Sequence, residues 1–145
     1  MRQINFRGKD LKTGEWRYGD LEIGRKTKIV RIHTYHEDGE YCQQYIVDEN
    51  TVGQFTGLQD KNGREIYEGD IVHKTETTYK MSCIGSVIYK NDEAKFVLHV
   101  TDKYREYHLS FVKDFQSQDG NATVPCHNEY EVIGNVYDDK ELLKQ

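Results

Sequence analysis

Turn-forming residues recur along this chain about every eight to twelve positions, with short runs of β-forming residues between them. That spacing predicts an all-β sandwich or barrel and leaves little length for helices. Residues 3–7 and 15–21 flank the connection Lys9-Asp10-Leu11-Lys12-Thr13-Gly14. Residues 28–35 alternate Val30, Ile32 and Thr34 against Ile29, Arg31 and His33, the period of a half-buried strand. Glu37-Asp38-Gly39 then turns the chain into a strand over 41–47. Further on, Asn62-Gly63 predicts a turn, because both residues tolerate positive φ. Gly69-Asp70 is a second breaker, ahead of a strand at 71–73.

Strands at 85–89 and 95–101 follow, and in the latter Phe96, Leu98 and Val100 alternate with Lys95, Val97 and His99. The next strand spans 107–112. Residues 116–128, broken by Gly120 and Pro125, predict the longest loop, exposed and mobile. A last strand covers 129–137. Asp138, with Glu141 three residues on, predicts a capped short helix to 145, docked by Leu142 and Leu143.

The chain has 145 residues, enough to bury a core without staples. Only 36% are hydrophobic and 31% are charged, so that core is modest. A single proline argues against a disordered linker. Eleven tyrosines suit half-buried sheets and interfaces, since the ring buries while the hydroxyl stays wet. The opening MRQINFRGKD has no apolar run behind its charges, and no stretch is apolar enough to span a bilayer. The expectation is a cytoplasmic protein that does not touch membranes.

Charge is unevenly spread. Residues 1–35 hold nine Lys or Arg against four acids, +5, while the other 110 carry −10 within a net −5. Such asymmetry marks a face for an anion or an acidic partner, although charges on alternating strand positions also simply face water.

No constellation reaches the level of an active site. His33 and His36 lie three apart, which on a strand sends them to opposite faces, and no further ligands stand at a recognisable spacing. Cys126-His127 are sequence neighbours, but a nucleophile needs a His that reaches the sulfur and a third group to orient it. Glu65, Glu68 and Asp70 cluster acids around a wet turn, where bracing of backbone N–H groups is the expected role. Cys42, Cys83 and Cys126 form no C-x-x-C pair and are read as three reduced thiols. Phosphate-loop, dinucleotide and nucleophile-elbow motifs are missing. No catalytic, cofactor-binding or metal residue is therefore assigned, and no cofactor is expected.

Residues 54–72, QFTGLQDKNGREIYEGDIV, resemble the signature stretch of the YopX-like family of bacteriophage and prophage proteins. Residues 131–143, EVIGNVYDDKELL, are similar to that family's C-terminal stretch, and Ile4-Asn5-Phe6-Arg7-Gly8 matches its start more loosely. The resemblance implies a mainly-β protein of a phage or prophage, working in the cytoplasm of a bacterial host. It brings no activity and no site residues. Gly69-Asp70-Ile71-Val72 followed by Gly85-Ser86-Val87 looks like the opening of an SH3-like barrel. The expected layout is an N-terminal β-sheet portion over 1–58 and a C-terminal SH3-like barrel-type portion with a short helix over 59–145. Gly69 is expected to enter its strand sharply, with positive φ or against a close backbone neighbour, and Ile66, Ile71 and Val72 look like core, so the signature reads as architecture.

Two functions follow from different premises. A β scaffold rich in Tyr, with split charge and no site, points to a noncatalytic interaction protein that binds a phage or host protein, itself, or both. The alternative is a nucleic-acid-binding module using the basic N-terminal third. The negative total charge weighs against it, because most nonspecific affinity comes from neutralising phosphates.

Overall fold

Alternating apolar and polar residues produce twelve strands among the residues that the computed structural model describes, which are 1, 3–119 and 122–144, the side chains of 115, 117–119 and 122 excepted. All the ladders are antiparallel, and the fold is mainly β. No helix among the described residues is long and apolar enough to cross a membrane. The chain divides into two units, Met1–Gly57 and Leu58–Gln145.

In the first unit, β1 (Phe6–Lys9), β2 (Trp16–Ile23), β3 (Val30–Tyr35) and β4 (Tyr41–Ile46) run in the order β4-β3-β2-β1, and β5 (Gly53–Gln59) begins beside β1. The alternation of β3 turns Val30 and Ile32 inward, where Val47, Phe6, Leu21 and Tyr45 close around them. A bridge between Asp10 and Val47 ties the end of β1 to the end of β4.

The second unit holds β6 (Glu65–Tyr67), β7 (Asp70–Glu76), β8 (Met81–Lys90), β9 (Lys95–Thr101), β10 (Glu106–Ser110), β11 (Asp114–Asp119) and β12 (Ala122–Asn135). Its main sheet has the order β10-β9-β8-β7-β12-β11. Ile66, Val72, Val87, Leu98, Val100 and Val132 form the core. Each contributes about 1.5–3 kcal/mol relative to an exposed position.

The two edge strands of this sheet are consecutive in sequence, and that relation fixes its curvature. A flat six-stranded sheet sets its edges about 24 Å apart. Residues 111–113 bridge Ser110 to Asp114 with a reach of about 14 Å at full extension. The sheet therefore coils until β10 and β11 approach. The SH3-like barrel expected from the sequence is not found, because no ladder closes the sheet among the described residues.

Two local expectations are corrected. Residues 116–128 do not form a loop: β11 and β12 pair from Asp114↔His127 to Asp119↔Ala122, with Gly120 and Asn121 outside the described residues. Pro125 is accommodated because β7 pairs with β12 only from Asn128 onward, so β12 has a single strand neighbour at the proline. The C-terminal helix shrinks to a 3-10 turn at Lys140–Leu143. Asp138 does not cap it; the neighbouring Asp139 carboxylate instead accepts from the Asn135 N–H at 2.9 Å. The turn expected at Asn62-Gly63 is present, with positive φ on Gly63 at 82°.

Candidate functional site

The turn at 60–64 is organised by one carboxylate. Asp60 Oδ1 accepts from the N–H groups of Asn62 at 2.8 Å and Arg64 at 3.0 Å. Gly63 N–H closes the turn on Asp60 C=O at 3.0 Å. In an antiparallel ladder, alternate residues aim their backbone groups away from the partner strand. Tyr130 and Val132 of β12 do so on the side opposite β7, and the turn meets them there. Lys61 N–H donates to Tyr130 C=O at 2.8 Å, and Val132 N–H donates to Asp60 Oδ2 at 3.1 Å. Burial by itself would raise the Asp60 pKa. The N–H donors of Val132, Arg64 and Asn62 outweigh it and hold the carboxyl below its ordinary value.

A second strut fixes the 111–113 connection to the same side of β12. Asn128 N–H donates to Lys113 C=O at 2.7 Å, and Asn128 Nδ2 donates to Val112 C=O at 2.6 Å. The Tyr130 hydroxyl lies 3.0 Å from both Val112 C=O and Val112 N–H. Burial pushes the pKa of that hydroxyl up.

Between turn and strut lies a cleft of about 330 Å³, lined among others by Leu58, Asp60, Lys61, Phe111, Lys113 and Tyr130. Phe111 and Tyr130 face each other with ring centroids 5.1 Å apart and pack on the core, giving the cleft an apolar floor. Its rim is charged. Lys61 Nζ pairs with Glu131 at 2.6 Å, and His127 Nδ1 pairs with Asp114 at 2.6 Å. Leu58 on the lining, and Val112 between the lining residues Phe111 and Lys113, are both more than 40% exposed.

The residues weighed from the sequence are not gathered into a reactive group. His33 Nε2 pairs with Glu22 at 2.7 Å, while His36 sits in the turn that its N–H closes on Glu40 C=O. Cys126, expected in an exposed loop, is buried in β12 at 3% exposure. Its neighbour His127 faces the other side of the strand, since successive side chains alternate. Glu65 accepts from the Tyr67 hydroxyl at 2.7 Å, Asp70 accepts from the Tyr67 N–H at 2.8 Å, and Glu68 lies half-buried in the turn between β6 and β7. Asp70 thus braces its turn as expected. The brace with the longest reach, Asp60, was not picked out by sequence reasoning, which read the Asp-Lys-Asn-Gly run as a turn without asking where the Asp side chain goes.

Arg17 and Arg31, two of the nine basic residues of the N-terminal third, pair with acids of the same third. Arg17 pairs with Asp10 and Glu15, and Arg31 with Glu22. Arg7 is buried at 2% exposure, with its guanidinium 4.5 Å from the centre of the Trp16 ring. Arg25, Lys26 and Lys28 stand exposed in the connection between β2 and β3.

One family model matches the chain. Its description is YopX protein, and the match runs over residues 5–144, nearly the whole length. No curated protein matches.

Proposed function

The chain belongs to the YopX protein family, and from that premise we propose that it is a noncatalytic accessory protein of a phage or prophage, acting in the bacterial cytoplasm by binding a protein. The partner is a phage or host protein, a second copy of this chain, or both. The observation that carries this reading is the cleft of the second unit with its apolar floor, its charged rim and the solvent-exposed Leu58 and Val112 at it. A small-molecule pocket keeps its apolar surface inside, where most of the ligand is enclosed. Apolar surface spreading over a rim suits a larger partner that anchors one side chain in the cleft and covers the surround.

Nucleic acid is the second reading, and the exposed Arg25, Lys26 and Lys28 favour it. The internal pairing of Arg17 and Arg31 weakens it, because those charges are already neutralised.

The test is capture of the tagged full chain from host cells after nuclease treatment, read by mass spectrometry and compared with Leu58→Asp. Leu58 is 42% exposed, and a cooperative melt of the variant establishes that it is folded before capture is compared. The expected result is a protein retained by the wild type through nuclease and lost from Leu58→Asp. A set of species that vanishes with nuclease, or is identical for both chains, would overturn the reading.

A further inference from the structure

We propose that His99 and His108 form a chelating site for a divalent transition-metal ion of the zinc, nickel or copper class. The two residues are direct cross-strand partners on β9 and β10, so their side chains leave the same face of the sheet. That face is opposite the one through which Leu98 and Val100 enter the core. His99 Nδ1 lies 3.3 Å from His108 Nε2, and the ring centroids are 5.1 Å apart.

The separation suits the ion. Imidazole nitrogens bind zinc at about 2.0–2.1 Å, and two of them at the tetrahedral angle are about 3.3–3.4 Å apart. The lone pair of each nitrogen must then point at the ion, which fixes the tautomer of His99 with its proton on Nε2. That nitrogen lies 3.4 Å from the Thr101 hydroxyl, a neighbour placed to accept the proton's hydrogen bond. Metal-binding histidines are commonly held this way, by a hydrogen bond from the ring nitrogen that does not bind the ion. For His108 to ligate through Nε2 its proton sits on Nδ1, so both rings stay neutral, and the 3.3 Å between the two ligating nitrogens is already close to the separation that the ion needs.

The donor type sets the ligand class. Neutral imidazoles favour borderline ions of the later transition series, whereas magnesium and calcium take oxygen ligands. No group of three or more His, Cys, Asp or Glu suited to a metal occurs among the described residues. Water therefore completes the coordination, and the site is an open, two-ligand chelate rather than a closed structural one. His108 is exposed and His99 half-buried, which gives an ion direct access.

Titration of zinc into the full chain by calorimetry, with magnesium as the control ion, tests this. One zinc per chain is expected, with no magnesium heat. His99→Ala and His108→Ala should each weaken zinc binding by about tenfold or more, a difference of about 1.4 kcal/mol, while His36→Ala leaves it unchanged. As a second readout that needs no variant, the side-chain nitrogen resonances of His99 and His108 should shift together on adding zinc. Zinc affinity unaltered in His99→Ala and His108→Ala, or zinc-induced shifts confined to other histidines, would overturn the assignment.

Discussion

Val132 N–H donates to Asp60 Oδ2 at 3.1 Å across 72 residues of sequence. The bond joins the two stretches by which the chain is most recognisable, 54–72 and 131–143. It also occupies the side of β12 opposite β7, past the point where the pairing with β11 ends at His127. A carboxylate and a turn thus stand where a ladder would otherwise run, and the cleft opens beside them.

Replacing Asp60 by Ala leaves three N–H groups, those of Asn62, Arg64 and Val132, without their acceptor. The expected cost is about 1–3 kcal/mol in chemical denaturation, with Asp60→Asn losing less because one amide oxygen remains.

The same carboxylate predicts a pH response. Its folded pKa is depressed, so its contribution is fully present above the ordinary Asp value of about 3.9 and is lost as pH falls through the folded value. Asp10 is lowered chiefly by the Lys12 N–H. At Glu76 burial opposes the charge, but the N–H groups of Tyr79, Thr78 and His127 and the Thr78 hydroxyl outweigh it and lower the value. Both add in the same direction. Stability measured from pH 7 to pH 2 should decline below about pH 4, and less steeply in Asp60→Asn. Parallel curves for the two chains would contradict the linkage.

Gly69 holds φ at 84°, and a Cβ built there would lie 2.9 Å from Tyr137 Cε2. Gly69→Val should therefore cost about 1–3 kcal/mol. Asn62→Ala should cost less, because the N–H of Asn62 and not a left-handed backbone is what the turn uses. An unchanged melting temperature for Gly69→Val would show that the approach is not strained.

Thiol labelling of the native chain should modify Cys42 first, since it alone of the three is exposed. Burial raises the Cys83 thiol, so it needs a higher pH to react, and Cys126 is enclosed in β12. Cys126→Ser should cost about 1–3 kcal/mol by placing a hydroxyl in that enclosure. His127→Ala should cost less than about 1 kcal/mol, because its pair with Asp114 is exposed.

Self-association is expected to depend on salt. With +5 on residues 1–35 and −10 on the rest, two copies present opposite charges to each other. Light scattering coupled to gel filtration should give a mass above 17.1 kDa at low salt that falls as salt is raised. A mass of 17.1 kDa under both conditions would remove the second copy from the set of partners.

Local pattern carried the strands and little of the site. Val30, Ile32, Leu98 and Val100 were readable as core because one face of a strand repeats every two residues. The hairpin of β11 and β12 was hidden by Gly120 and Pro125, which read as breakers although a strand with one neighbour tolerates proline. The cleft was not legible, since Phe111, Lys113, Asn128 and Tyr130 meet Asp60 only through the coil of the sheet. His99 and His108 likewise become neighbours only once the register of β9 and β10 is known.

The Asp60 carboxylate holds the seam beside which the cleft opens. Hydrogen exchange at the Val132 amide, measured by NMR in the wild type and in Asp60→Ala and normalised to the Leu98 amide in the core, tests it directly. Val132 is expected to be protected in the wild type and to exchange at least about tenfold faster relative to Leu98 in the variant. Equal normalised rates in the two chains would contradict it.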